Sequence, residues 1–151
     1  MRDLNQLLSQ LRGFVTKAEK GNIEVSSVNI GWHVEHSLLV MVRMIDSLCR
    51  SDPKGYRWNF NLLRTIVFTR KRFPRGKGKA PEEVRPKQLE PIDYEVLFQK
   101  AETAIERLNA ADPNQHFEHA MFGKLNRKNT STLLYIHTRH HLMIIEDIVR
   151  K

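Results

Sequence analysis

The sequence is poor in features that would assign it quickly to a class of proteins. It has a single cysteine, Cys49, which excludes an internal disulfide framework and which we interpret as a core residue, because it falls among apolar residues late in a predicted helix. No apolar run reaches the roughly 18 residues of a membrane span. The motifs G-x-S-x-G and H-E-x-x-H are absent, which excludes the hydrolase and zinc-peptidase types that carry them.

The composition is that of an ordinary globular protein. The 151 residues are 40% hydrophobic and 28% charged, which predicts a single domain over residues 1–151 with a proper core. The amphipathic start, MRDLNQLLSQLRG, lacks the apolar segment and cleavage site of a signal peptide. We therefore expect a cytoplasmic protein without a membrane segment.

The net charge of +8 is concentrated in one place. Six of the positive residues crowd into residues 70–79, and the others are mixed with acids. Such a segment is usually a solvated loop, so we do not expect a nucleic-acid partner, although binding through residues 70–79 is kept as an alternative. Arg75, Lys77 and Lys79 are candidates for contacting an anionic substrate.

Helical periodicity dominates the chain, and no segment sustains the alternation of a strand. Apolar spacing predicts helices over residues 3–20, from a cap at Ser26 or Ser27 to Arg50, over residues 58–72, from Asp93 to about Leu108, and from a cap at Thr130 or Ser131 to the end. Residues 73–91 hold four of the six prolines and are interpreted as a crossover loop. Residues 116–129 are interpreted as a second loop. The fold class is therefore all-α, a four-helix bundle with one extra short helix and a long crossover loop.

The last predicted helix, TLLYIHTRHHLMIIEDIVRK, carries two histidines on its apolar side. With about 100° per residue, His141 lies about 40° from His137, and Ile144 and Ile148 lie about 20° to either side of His137. Imidazoles four residues apart can bind one metal ion. The alternative is a pair of buried histidines with hydrogen-bond partners. His140 points about 60° away from His137 and is a weaker ligand candidate.

A third ligand is expected from the second helix, NIGWHVEHSLLVMVRMI. His33 lies at the edge of its apolar side, near Val40 and Met44, whereas His36 aligns with a polar row. We prefer His33 as the ligand and keep His36 as an alternative ligand, a residue that supports a ligand, or an exposed side chain. Three protein ligands with one open position are typical of catalytic zinc sites.

Neutral imidazoles suit zinc, nickel, copper or iron. Such a cation acidifies a bound water molecule or thiol, which generates a nucleophile without any side-chain nucleophile. The sequence thus favours a metal-dependent enzyme, either a hydrolase or a thiol-dependent transferase, that acts on a small molecule. A non-catalytic metal-binding or regulatory bundle is the alternative, and it predicts a fourth ligand such as His36 or His140.

Two motifs, GWHVEHS in the second helix and HTRHH in the last, resemble the DinB-like superfamily, and within it a bacterial subgroup. The stretches RGKGKAP and HAMFGKL fit that subgroup, although Ala120 stands where relatives often have proline. The resemblance covers nearly the whole chain.

The resemblance implies a four-helix bundle of DinB type, often a homodimer. It implies a divalent metal ion, commonly nickel or zinc, held by His33, His137 and His141. Some relatives transfer or isomerise substrates with a low-molecular-weight thiol, which is therefore a possible cofactor.

Overall fold

The fold, seen in a computed structural model, is described for residues 3–73, 82–86 and 92–151. In these residues it is mostly helical with one small antiparallel sheet. The helices are α1 (Leu4–Arg12), α2 (Ile30–Cys49), α3 (Leu62–Arg70), α4 (Tyr94–Ala110) and α5 (Arg127–Arg150), the strands are β1 (His116–His119) and β2 (Gly123–Asn126), and short 3-10 helices lie at Val15–Lys17, Pro53–Gly55 and Glu82–Val84.

Four helices enclose the main core. Helices α1 and α2 each pack against both α4 and α5. Their inward side chains include the fully buried Leu11, Met41, Phe98, Leu108 and Leu134. This packing is consistent with the predicted all-α class, whereas the DinB-type bundle stays a prediction. Among the helices described, none combines the length and apolar character needed to cross a lipid bilayer.

The start of α2 differs from the prediction and positions its histidines. Asn29, rather than Ser26 or Ser27, caps the helix, and its side-chain oxygen accepts a hydrogen bond from the amide of Trp32 at 2.9 Å. The predicted caps are wrong because the Ser26 hydroxyl instead lies 3.0 Å from Nε2 of His33. Gly31 lets α2 begin close to the start of α4, since a Cβ there would lie 2.5 Å from the Tyr94 hydroxyl.

Helix α5 also begins earlier than predicted. Asn126 caps it by accepting a hydrogen bond from the amide of Asn129 at 3.1 Å, so the predicted caps, Thr130 and Ser131, are wrong. Both lie inside the helix and are buried, and the Thr130 hydroxyl donates to the carbonyl oxygen of Leu125. The extra turn joins α5 directly to β2.

The loop predicted over residues 116–129 is wrong, because it contains a β-hairpin. Strands β1 and β2 pair antiparallel, with Phe117 opposite Leu125 and His119 opposite Gly123. Gly123 has a φ of 67°, and a Cβ there would lie 2.8 Å from the Asn59 side-chain nitrogen, so glycine is required. Phe122 and Leu125 belong to a second, smaller core cluster over α5. Four-residue strands are too short to show an alternating pattern.

Helix α3 is held to the hairpin by a buried arginine. Its apolar spacing indicates a helix correctly, yet Leu62 is 64% exposed and Arg64 is 6% exposed. The Arg64 guanidinium donates to the carbonyl oxygens of Phe122 at 3.2 Å and Lys124 at 2.9 Å, and also to that of Asn59. The charged side chain thus fixes α3 to the hairpin alongside the buried Val67.

Replacing Arg64 with methionine is expected to lower the free energy of unfolding by about 2 kcal/mol or more, because buried carbonyl oxygens then lose their donor. Urea denaturation measures the change. Arg70→Met is the matched control, since Arg70 is exposed on the same helix and its loss should cost less than about 0.5 kcal/mol. Equal effects of the two substitutions would contradict the anchoring role of Arg64.

Candidate metal centre

The candidate metal centre lies where α2 and α5 pack against each other. Helix α2 supplies His33 and His36, and α5 supplies His137 and His141. Residues four apart lie on adjacent turns of one helix face, so the α5 pair meets α2 together. His33 and His36 are each 4% exposed and His141 is 8% exposed, which places the rings inside the fold.

Three of these imidazoles form a cluster that can hold one metal ion. One ring nitrogen from each of His36, His137 and His141 lies within 4.8 Å of the other two. The ring centroids are 5.1 Å apart for His36 and His137, 4.9 Å for His36 and His141, and 4.6 Å for the α5 pair. Two nitrogens bound to one tetrahedral Zn²⁺ lie about 3.4 Å apart, so small ring rotations bring the three to coordinating distance.

The orientation of His36 is fixed by the crossover. Its Nδ1 lies 2.7 Å from the carbonyl oxygen of Val84, in the 3-10 helix Glu82–Val84. A carbonyl oxygen only accepts, so Nδ1 carries the proton and Nε2 keeps its lone pair. Metal-binding histidines commonly donate their second nitrogen to such an acceptor.

His33 supports His141 in a comparable way. The Nδ1 atoms of the two rings are 2.9 Å apart, and Nε2 of His33 lies 3.0 Å from the Ser26 hydroxyl oxygen. One consistent proton arrangement has His141 donating to His33 and His33 donating to Ser26. Nε2 of His141 then has a free lone pair, as a metal ligand requires.

His137 carries an unsatisfied nitrogen. Its Nδ1 is buried and has no hydrogen-bond partner among the described atoms. An unpaired buried polar atom costs roughly 1–3 kcal/mol. A cation bound to this nitrogen would remove that cost, so the residues present fit a metal ion.

Burial keeps the imidazoles neutral. Desolvation, and after it the charges of His36 and His140, lower the pKa of His33 to about 4. Desolvation also lowers the pKa of His36, against the opposing effect of its hydrogen bond to Val84. The pKa values of His137 and His141 lie well below 6.5, first through burial and then through neighbouring histidines. The neutral ring is the form that binds a metal ion.

Aromatic side chains border the cluster. The Trp32 indole stacks on His36 at 4.8 Å with an interplanar angle of 19°. The Phe73 ring meets His137 edge-on at 6.2 Å. These rings limit the rotation of the imidazoles and lower the polarity around them.

The structure brings together His137 and His141, as the sequence analysis expects, and adds His36 as the third member of the cluster. His33, the preferred ligand of the second helix, contacts the centre through His141, and its role as a ligand stays a prediction. The exposed alternative for His36 is wrong, because Val84 covers the polar row of α2 at that point. His140 is half-buried, with its ring 5.3 Å from that of His141.

The proposed anion-binding residues, Arg75, Lys77 and Lys79, lie outside the described residues, so their role stays a prediction. The groups that orient His36 and His33, which are Val84 and Ser26, are not predicted from the sequence. A backbone carbonyl leaves no signal in a sequence, and Ser26 looks like a helix cap. Trp32, next to His33 in GWHVEHS, is the only sequence signal for the aromatic border.

Replacing His33 with phenylalanine is expected to weaken metal binding by roughly 10- to 100-fold, because His141 loses the partner that orients it. Competition with a chromophoric chelator measures the affinity. His116→Phe is the control, since His116 lies in the hairpin and is absent from the cluster. A loss as large as that caused by His137→Ala would instead make His33 a ligand.

No family model, no curated protein and no solved structure matches the chain. The function is therefore inferred from the chemistry of the histidine cluster.

Proposed function

We propose that His36, His137 and His141 bind one divalent transition-metal ion and that the protein is a metal-dependent enzyme acting on a small molecule. One observation carries the proposal: three imidazoles from two helices, two of them buried and that of His137 half-buried, lie with ring nitrogens within 4.8 Å of one another. Removing three polar imidazoles from water costs free energy, and a metal ion bound by all three would offset that cost.

The number of ligands supports a catalytic role. The cluster found in the described residues contains three histidines, and three protein ligands with an open position are typical of catalytic zinc sites. Closed structural sites generally have four protein ligands. The open position is where a substrate, or a thiol that reacts with it, would bind.

We propose zinc or nickel as the metal ion, because both accept neutral imidazole nitrogen. The bound ion would supply a Lewis acid that lowers the pKa of a coordinated water molecule or thiol. The first possibility corresponds to a hydrolase and the second to a thiol-dependent transferase. The chain's own residues would hold the ion and exclude bulk water. Val84 and His33 would orient two of the ligands.

We further propose that the chain is a divergent member of the DinB-like superfamily. The motifs GWHVEHS and HTRHH support this, as do helical packing with a long crossover and a histidine pair in the last helix. The superfamily resemblance also carries the proposal of a homodimer.

A non-catalytic metal-binding protein is the second candidate, and the position of His33 favours it. Its Nδ1 lies only 2.9 Å from that of His141, so a rotation of His33 could close the site with a fourth imidazole. Catalysis needs an exchangeable position, whereas a four-histidine site would hold its ion without one.

Metal analysis of protein purified without an affinity tag tests the binding step. We expect one zinc or nickel ion per chain, or stoichiometric rebinding after chelation. Protein that carries no metal and rebinds none would overturn the proposal.

Activity separates the two candidates. Metal-loaded protein is assayed for hydrolysis of an activated ester and for conjugation of a small thiol to an electrophile. We expect turnover in one assay that His137→Ala abolishes and His116→Ala leaves unchanged. Tight metal binding with no turnover in either assay would favour the non-catalytic candidate.

A further inference from the structure

A second feature lies on the neighbouring side of α5. A cavity of about 310 Å³ opens between the end of α3 and the outer face of α5. This volume falls at the lower end of the range of small-molecule sites, roughly 300–1,000 Å³. The cavity is separate from the histidine cluster, since Ile136 and Met143 line it from another side of the helix.

The lining combines positive charge with apolar surface. Lys71, Arg72 and Arg139 contribute three cationic side chains, and no acidic residue is found in the lining among the described residues. Phe73, Ile136 and Met143 form the apolar part. Positive groups around an apolar wall suit a ligand with an anionic group at one end and an apolar body.

The backbone is strained at Lys71, which lines one wall of the cavity. Lys71 follows α3 with a φ of 52° and a ψ of 33°, and it is the one non-glycine residue with a positive φ in the described part of the chain. The left-handed conformation costs a lysine roughly 1–2 kcal/mol. The turn at Lys71 leads directly to Arg72 and Phe73, which form the wall facing α5.

Two side chains join the cavity to the metal centre. The Phe73 ring lines the cavity and lies 6.2 Å from the ring of His137. His140 also lines it, and its ring lies 5.3 Å from that of His141. A ligand in the cavity is thus separated from the imidazole cluster by about the width of one aromatic ring.

We propose that this cavity binds the anionic group and apolar body of the substrate, which would be a small organic carboxylate or phosphate. Arg139 is the principal anion contact, because its planar guanidinium can donate two parallel hydrogen bonds to either group. The inference rests on the proposed function for the link to catalysis, while the binding site itself needs no metal ion.

Calorimetric titration of the full chain with benzoate, phenyl phosphate and the neutral benzyl alcohol tests the site. Metal is removed beforehand, so that the anions cannot bind to it. We expect saturable binding of at least one anion and much weaker binding of the alcohol. Arg139→Gln should weaken anion binding about 10-fold, the effect of losing a charge-assisted hydrogen bond. Preference for benzoate or for phenyl phosphate identifies the class of anion.

Arg150→Gln is the matched control, because Arg150 is exposed on the same helix and the charge change is identical. It should change the affinity less than twofold. The proposal is overturned by absence of anion binding at millimolar concentrations, by equal binding of the alcohol, or by equal losses in the two variants. If the protein binds metal normally but binds no anion, the proposal for the cavity is excluded and that for the metal centre stands. If it binds the anion but no metal ion, only the proposal for the metal centre is excluded.

Discussion

Replacing His137 with alanine is expected to weaken the binding of Zn²⁺ or Ni²⁺ by at least about 100-fold, more than the loss of a supporting group. His137 lies close to both His36 and His141, with ring centroids 5.1 Å and 4.6 Å away. Its buried Nδ1 has no hydrogen-bond partner among the described atoms. The substitution therefore removes a proposed ligand that contributes an unpaired ring nitrogen to the cluster. Competition with a chromophoric chelator measures the affinity.

The control for this experiment is His116→Ala. His116 lies in the hairpin, where its Nδ1 contacts the carbonyl oxygen of Asn114. Its removal should leave metal affinity unchanged within a factor of two or so, because it is far from the ligands in sequence and absent from the cluster. Similar losses in His116→Ala and His137→Ala would mean that metal binds to the surface rather than in the centre.

The metal-free protein is expected to lose several kcal/mol of stability between pH 7 and pH 5. An unfolded histidine has a pKa near 6.5, whereas burial lowers the pKa of His33 to about 4 and those of His137 and His141 to well below 6.5. The unfolded chain thus binds more protons than the folded chain in this window, and stability falls as the pH falls. Each histidine that stays neutral in the folded state contributes about 2 kcal/mol.

Urea denaturation at several pH values, with chelator present, measures this slope. Replacing His33 with phenylalanine should reduce the slope by the contribution of one buried histidine. His116→Phe should leave it unchanged, because that ring is not part of the buried cluster. A stability that is flat from pH 7 to pH 5 would show that the four imidazoles are protonated or solvated.

The helices are predictable from the sequence because each has a strong apolar period. The spacing of His137 and His141 on α5 likewise predicts that they share a face, and the structure confirms it. The helix ends are less predictable. The predicted first helix reaches Lys20, but α1 ends at Arg12 and a short 3-10 helix, Val15–Lys17, carries the chain onward, after a glycine that is a poor helix former.

The burial of His36 shows where a helical wheel stops being informative. A wheel assigns an apolar side to α2, but this helix packs against α4, α5 and the crossover, so His36 is buried although it lies in the polar row. His36 is covered by Val84, whose part in the site is a backbone carbonyl. Contacts between distant segments of that kind cannot be deduced from residue types or from spacing.

Contacts between distant segments also decide the orientation of Arg64 against the hairpin. An arginine between apolar residues of α3 would normally be predicted to face solvent. Here its guanidinium instead donates hydrogen bonds to carbonyl oxygens of the hairpin. The apolar residues Leu62 and Ile66 are 64% and 40% exposed instead. Tertiary contacts thus override part of the pattern of α3, in which only Val67 of the apolar residues is buried.

Anomalous scattering from crystals of the zinc-loaded protein tests the central claim most directly. We predict one strong peak with nitrogens of His36, His137 and His141 about 2.1 Å away, and with His33 in contact with His141 rather than with the ion. A peak ligated by His33 in place of His36 would contradict the assignment of the α2 ligand. A peak elsewhere, or none with stoichiometric zinc present, would contradict the metal centre itself.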